Sequence, residues 1–281
     1  MSLTEGSPQA ILFGDQDMKR IGIIALAVLT SCAFITSCMN TNASVTTQTT
    51  NTETVKEPYG ISVGDHIMFG KYPQNYASGS DTAEPEPVEW RVLEIKDGKA
   101  LIISEYLLEP FVYNIELTDV TWETSTLRKW LNTTFYDTAF SESEKNSIQT
   151  VTIKNPDNPV RGTEGGNDTE DKVFCLSLEE AQLYFKDTNE RMAAPTKYAV
   201  KRGAQTNEDS TLANGMKTGW WWLRTPASSS NRAADVDCYG NIDVDFIKGS
   251  DVDGSLVFDE DNCVRPAVWI TIAEVKFTKV L

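Results

Sequence analysis

Residues 219–226 read Gly-Trp-Trp-Trp-Leu-Arg-Thr-Pro, and the three consecutive tryptophans restrict the fold more than any other stretch of the chain. No regular backbone points three successive side chains the same way. In a strand, Trp220, Trp222 and Arg224 share one face, while Trp221 and Leu223 share the other. Both faces are then strongly apolar, the pattern of a strand covered on two sides. Indoles are mostly buried, and a buried indole N–H needs an acceptor. At least two of the three tryptophans are therefore expected in the core. At most one is left as a stacking platform for a sugar or peptide. Arg224 and, further along, Arg265 are each expected to pair with a buried carboxylate.

The rest of the chain supplies layers for such a strand. Ile67–Phe69 reads as a strand after the Gly64-Asp65 turn, and Tyr76–Pro87 as a Ser/Gly/Pro loop. Val88–Ile95 and Ala100–Ser104 flank Lys96-Asp97-Gly98, a hairpin signal. Leu127, Trp130, Leu131, Phe135 and Phe140 recur at three- and four-residue intervals behind an N-cap at Thr124 or Ser125. Ser141 with Glu144 and Ser177 with Glu180 fit capping boxes. Val151–Ile153 and Val173–Leu176 read as strands, Asn155–Asp171 as an exposed loop, and residues 195–202 as a helical turn or two. Strands follow at Trp220–Thr225, Ala234–Tyr239, Ile242–Ile247 and Val264–Ile272, with a tight turn at Tyr239-Gly240-Asn241. Strands early, helices in the middle and strands late predict an α+β domain with short mixed or antiparallel sheets and two to four short helices. Its first and last strands are placed to pair.

Ahead of this globule lies an address. Residues 1–17 look like an upstream extension and are set aside. Met18-Lys19-Arg20 followed by Ile21–Leu29 gives a basic segment and an apolar run too short to span a bilayer. Ile35-Thr36-Ser37-Cys38 resembles the lipobox of bacterial lipoproteins, which implies cleavage before Cys38 and a diacylglycerol on its thiol. Residues 18–37 are thus read as a lipoprotein signal peptide and residues 38–58 as a Thr-rich flexible tether. Residues 59–281 form the globular domain. The expected location is the bacterial cell envelope, with the membrane as a partner through the lipid anchor.

Charge removes one large function class. The 281 residues carry 41 acidic against 25 basic groups, a formal charge of −16. Nucleic-acid binding depends on clustered Lys and Arg, so no nucleic-acid partner is expected. His66 is the lone histidine, which removes zinc-hydrolase and Ser-His or Cys-His machinery. It reads as a turn or strand-edge residue. Gly165-Gly166 lacks the Lys-Ser or Lys-Thr of a phosphate loop.

Carboxylates are abundant enough that a glycosidase-like pair stays open. Asp235, Asp237, Asp243, Asp245, Asp251, Asp253, Asp259 and Asp261 crowd the C-terminal end. Their alternation at 235/237 and 243/245 reads as a solvated strand face. Asp251-Val-Asp253-Gly resembles a fragment of a calcium loop without its other ligands. No cofactor is assigned, and calcium at Asp251 and Asp253 is the disfavoured alternative. Of the cysteines in the globule, Cys238 and Cys263 both fall in predicted strands, and an envelope protein permits a disulfide between them.

The order of short motifs resembles an uncharacterised bacterial domain, the domain-of-unknown-function family numbered 6273. The pieces are Ile67–Gln74, Pro87–Leu93, Trp122-Glu123, Ser125–Asn132, Phe135-Tyr136, Ala139-Phe140, Val173-Phe174, Leu176-Ser177, Glu179–Ala181, Trp221–Arg224 before Pro226, and Val264–Ala267. Trp90, Trp130, Trp221 and Arg265 stand in these pieces as structural residues. The C-terminal end is also similar to C-type-lectin-like and formylglycine-generating-enzyme-like folds. The resemblance implies paired end strands, two helices and a loop-rich ligand face, and no known activity. Formylglycine-generating enzymes use a cysteine pair near the C-terminal end, and Cys238 and Cys263 invite that comparison. However, Cys263 stands where a small residue is expected before Val-Arg-Pro.

These readings predict a surface-displayed lipoprotein whose non-catalytic domain recognises a glycan, peptide or protein partner. The ligand-binding candidates are Trp220, Trp222, Arg224, Asn231, Asp251 and Asp253, on the side of Ala227–Asn231 and Ser250–Glu260. No catalytic residue is assigned. Two alternatives have their own requirements. An oxidative or hydrolytic enzyme needs neighbouring thiols or a spaced carboxylate pair, and a structural envelope protein needs neither.

Overall fold

A computed structural model describes residues 60–76, 81–243, 253–274 and 278–280. The signal segment, Cys38, the tether, Asp245 and Asp251 lie outside the described residues. Among those described, no helix is long and apolar enough to cross a membrane.

The chain opens with β1 (His66–Pro73), β2 (Pro85–Lys96) and β3 (Lys99–Ser104), then the short β4 (Glu109–Pro110). Asp97 and Gly98 both take positive φ, 50° and 73°. A two-residue hairpin turn of this hand matches the twist of its flanking strands, which is why Asp-Gly closes it. β2 reaches back to Pro85, opposite Pro73, so the strand begins inside the stretch expected to be loop.

The helical middle comprises α1 (Thr126–Trp130), a wider turn over Leu131–Phe135, α2 (Tyr136–Ala139) and α3 (Glu142–Lys145). Ser125 is the N-cap, its hydroxyl accepting from the Arg128 N–H at 3.1 Å. Both predicted capping boxes form, at Ser141/Glu144 and Ser177/Glu180. Next come β5 (Val151–Ile153), β6 (Thr169–Asp171), β7 (Val173–Phe174), α4 (Leu178–Tyr184), α5 (Thr188–Arg191) and α6 (Lys197–Lys201). Among the described residues six short α-helical segments exceed the two to four expected, because the wider turn at Leu131–Phe135 splits one predicted helix in two and the Asp187 cap supports a further turn. The loop expected to be exposed over 155–171 is anchored instead. Asn158 donates to the carbonyls of Pro226 and Ala227, both at 3.0 Å, and Asp171 is fully buried.

The C-terminal part contributes β8 (Trp221–Pro226), β9 (Arg232–Val236), β10 (Ile242–Asp243), β11 (Ser255–Leu256), β12 (Cys263–Val264), β13 (Ala267–Thr271) and β14 (Thr278–Lys279). One antiparallel sheet runs β14-β1-β2-β3-β13-β7, and a second runs β10-β9-β8-β12-β4 with β11 also on β9. The architecture is mixed α+β. The end strands do pair, Ile67 opposite Lys279.

Val264–Ile272, expected as one strand, is two. β12 belongs to the second sheet and β13 to the first, and Arg265-Pro266 carries the chain across. Proline lacks the N–H that a continuing ladder requires. Arg265 is thereby left at the crossing, fully buried, with no carboxylate pairing of the kind expected. Its guanidinium donates to the carbonyls of Ser104 and Arg191 at 3.0 and 3.1 Å and lies over the rings of Trp221 and Phe185. Burial pulls its pKa down to about 10. Aromatic faces and carbonyl oxygens substitute for a counter-ion here.

Candidate functional site

The tryptophan run enters β8 from Thr218, whose hydroxyl donates to the Cys238 carbonyl at 2.7 Å. At Gly219 a β-carbon would stand 2.8 Å from the Gln205 carbonyl, so glycine is what lets the 205–206 segment lie against the run. Trp220 follows. Its carbonyl accepts from the Cys263 N–H at 2.9 Å, which ties it beside the start of β12.

From there the two faces of β8 separate as the alternation requires. Trp221 and Trp222 are fully buried. Trp221 donates its indole N–H to the Arg191 carbonyl at 3.1 Å. Trp222 donates to the Phe111 carbonyl at 2.7 Å and meets Tyr113 edge-on at 5.6 Å. Trp220 is only half-buried.

Trp220 lines an open cleft of about 270 Å³ together with Gln205, Thr206, Ser255, Asp259, Asp261 and Asn262. That volume is near the lower end of small-molecule sites. Three separate segments thus meet there. One wall is a turn in which Asp259 N–H donates to the Leu256 carbonyl at 2.8 Å and Asp259 Oδ1 accepts from the Asp261 N–H at 2.9 Å. Burial and the neighbouring Asp259 raise the Asp261 pKa, against a lowering hydrogen bond from Gln205. Asn262 closes the site. It is 1% exposed, and its amide Nδ2 has no hydrogen-bond partner among the described residues.

The fold brings few of the predicted ligand residues to this cleft. Trp220 is there. Trp222 is core, because its face of β8 packs on Tyr113. Arg224 is 3% exposed and pairs with a carboxylate as expected, though a half-buried one, with two contacts to Glu180 at 2.5 and 3.0 Å. Asn231 and Asp253 hold loop contacts outside the cleft lining: the Asn231 carbonyl accepts from Val257, and the Asp253 carbonyl from Ser228. Asp251 lies outside the described residues.

Ser255 and Asp259 fall in the Ser250–Glu260 stretch expected on the ligand side. Gln205, Thr206 and Asn262 escaped sequence reading, and Asp261 was visible only as a member of an acidic tract.

The Asp235/Asp237 alternation is not a solvated face. Asp235 is buried, accepting from the Ser255 N–H at 3.1 Å, and burial raises its pKa well above the ordinary range. Asp243, opposite Asp235 in the ladder, is raised to about 6 by burial and then by Asp237. Asp237 itself closes the predicted turn, accepting from the N–H groups of Tyr239 and Asn241, both at 2.8 Å.

Cys175, Cys238 and Cys263 are all free and buried, so the Cys238–Cys263 bridge is not made. Register gives the reason. Trp221 stands between Cys263 on one side and Val236 on the other. Two strand spacings, about 10 Å, therefore separate Cys263 from β9, beyond the reach of a disulfide. Among the described residues, no group of three or more His, Cys, Asp or Glu side chains is placed to hold a metal ion.

No curated protein and no solved structure matches this chain. Residues 97–272, running from the β2–β3 turn through the end of β13, match the family described as Domain of unknown function (DUF6273). The matched span holds the capped helices, β8 with its buried tryptophans, and the Val264–Ala267 crossing, and it accounts for more than half of the chain: the protein belongs to the DUF6273 family.

Proposed function

We propose that this protein is an envelope lipoprotein, anchored through Cys38, whose globular domain has a C-type-lectin-like architecture and binds a glycan without catalysis. The observation that carries the reading is Trp220. Of the three adjacent indoles it alone lines an open cleft, and the other lining side chains are amides, hydroxyls and carboxylates. An aromatic face stacks on the apolar face of a sugar ring, while hydrogen-bonding groups around it fix the hydroxyls. The paired end strands and the loop-built cleft support the lectin-like architecture. The oxidative form of the enzyme reading draws no such support, since the three thiols of the domain are all buried.

A glycan array followed by calorimetry on the wild type and Trp220→Ala tests the binding. Selective binding that falls at least tenfold in the variant supports it. Silence across the array, or binding untouched by the substitution, would remove it. Metabolic labelling with a radiolabelled fatty acid, lost in Cys38→Ser, tests the anchor.

A further inference from the structure

We infer that the cleft takes a cationic sugar, a hexosamine whose amino group is unacetylated and protonated; this rests on the glycan-binding reading above. Three demands converge on that ligand. Trp220 offers a ring face. Among the described residues, Asp259 and Asp261 line the cleft, no Lys or Arg does, and neither carboxylate makes an ion pair. Uncompensated negative charge beside an aromatic face favours a cation over a neutral or anionic group.

Asn262 adds the third demand independently. Its Nδ2 is a buried donor with no acceptor among the described residues, and leaving such a group unpaired is unfavourable. Asn262 lines the cleft, and a side-chain rotation that brought Nδ2 out would let a hydroxyl or ring oxygen there satisfy it. A free hexosamine presents an apolar ring face, an ammonium and several oxygens within one small ring. An acetylated hexosamine lacks the charge, a neutral hexose lacks it too, and a lysine side chain lacks the ring face.

The test is calorimetry on the full chain with three oligosaccharides: a chitosan tetramer with free amines, the fully acetylated chitin tetramer, and a neutral cello-tetramer. The wild type should bind the aminated tetramer about tenfold more tightly than the acetylated one, with a margin that shrinks in high salt. In the double variant Asp259→Asn and Asp261→Asn, which keeps the Oδ1 acceptor of the turn, that preference should vanish. Circular dichroism and a thermal melt matching the wild type should show that the variant is folded.

Equal affinity for the two tetramers, or a preference unchanged in the double variant, overturns the inference. If the acetylated or neutral tetramer alone binds and Trp220→Ala abolishes it, the cationic inference falls while the glycan reading stands. Silence toward all three overturns the inference, and with a silent array the glycan reading falls as well.

Discussion

Trp221 and Arg265 share one acceptor. The Arg191 carbonyl receives the Trp221 indole N–H and the Arg265 Nη1, each at 3.1 Å, while the guanidinium lies 5.0 Å from the centre of the indole ring. Both residues come from the sequence pieces that most resemble the family, and they meet where the chain passes between the two sheets.

Arg265→Ala should therefore be among the most destabilising substitutions in the domain. It empties a fully buried volume and strips donors from the Ser104 carbonyl, a loss of about 3–4 kcal/mol by urea titration. Arg265→Lys should recover little of it, because a single ammonium cannot reach two carbonyls from a planar, ring-stacked position. A lysine variant as stable as the wild type would contradict this account.

The three tryptophans should separate cleanly under alanine substitution. Trp222→Ala should cost about 3–5 kcal/mol, the range for a fully buried large side chain. Trp220→Ala should cost clearly less, about 1 kcal/mol, since the residue is only partly buried at the cleft. Thermal melts of the two variants measure this, and the reverse ranking would place the wrong indole in the cleft.

Alkylation in denaturant without reductant, read by peptide mass spectrometry, should label Cys175, Cys238 and Cys263 alike. Under native conditions Cys175 should stay unlabelled, because burial hides its thiol and pushes its pKa up to about 12. Protection of Cys238 and Cys263 until reductant is added would show a bridge after all.

Acidity should stabilise one corner of the second sheet. Asp243 has a folded-state pKa of about 6, above its ordinary 3.8, so the folded form binds the proton more tightly. Its contribution is fully present below about pH 4 and is lost as pH rises through 6. Asp243→Asn removes that loss and should stabilise the protein at pH 7 by about 1 kcal/mol, after allowing for partial exposure to solvent. Urea midpoints between pH 4 and 7 should slope less in the variant than in the wild type. An unchanged slope would exclude Asp243 as a source.

Local chemistry accounts for what could be read in advance. Asp97-Gly98, Ser125, Ser141 and Ser177 each act within a few residues, and every one of those turns and caps forms. Alternation put at least two of the three tryptophans in the core but did not separate Trp222, which is buried, from Trp220, which is not. Long-range register was not legible in the same way. Asp235 alternates like a surface residue and is buried because β11 folds back over β9. Cys263 reads as a partner for Cys238, yet β8 lies between β12 and β9, and Cys238 sits in the turn just past β9. The cleft is hardest of all, because Gln205, Trp220 and Asn262 are brought together by three different segments, and no local pattern marks such a meeting.

The pairing of β1 with β14 has a mechanical consequence. β1 is held along one edge by β2 and along the other by β14, with Lys279 reaching Asp65 at 2.5 Å across the join. Tension arriving from the residues that precede Gly60 would thus enter the sheet as shear along a strand clamped on both sides. Hydrogen bonds loaded in shear share the force, whereas an unclamped end strand would peel away one bond at a time.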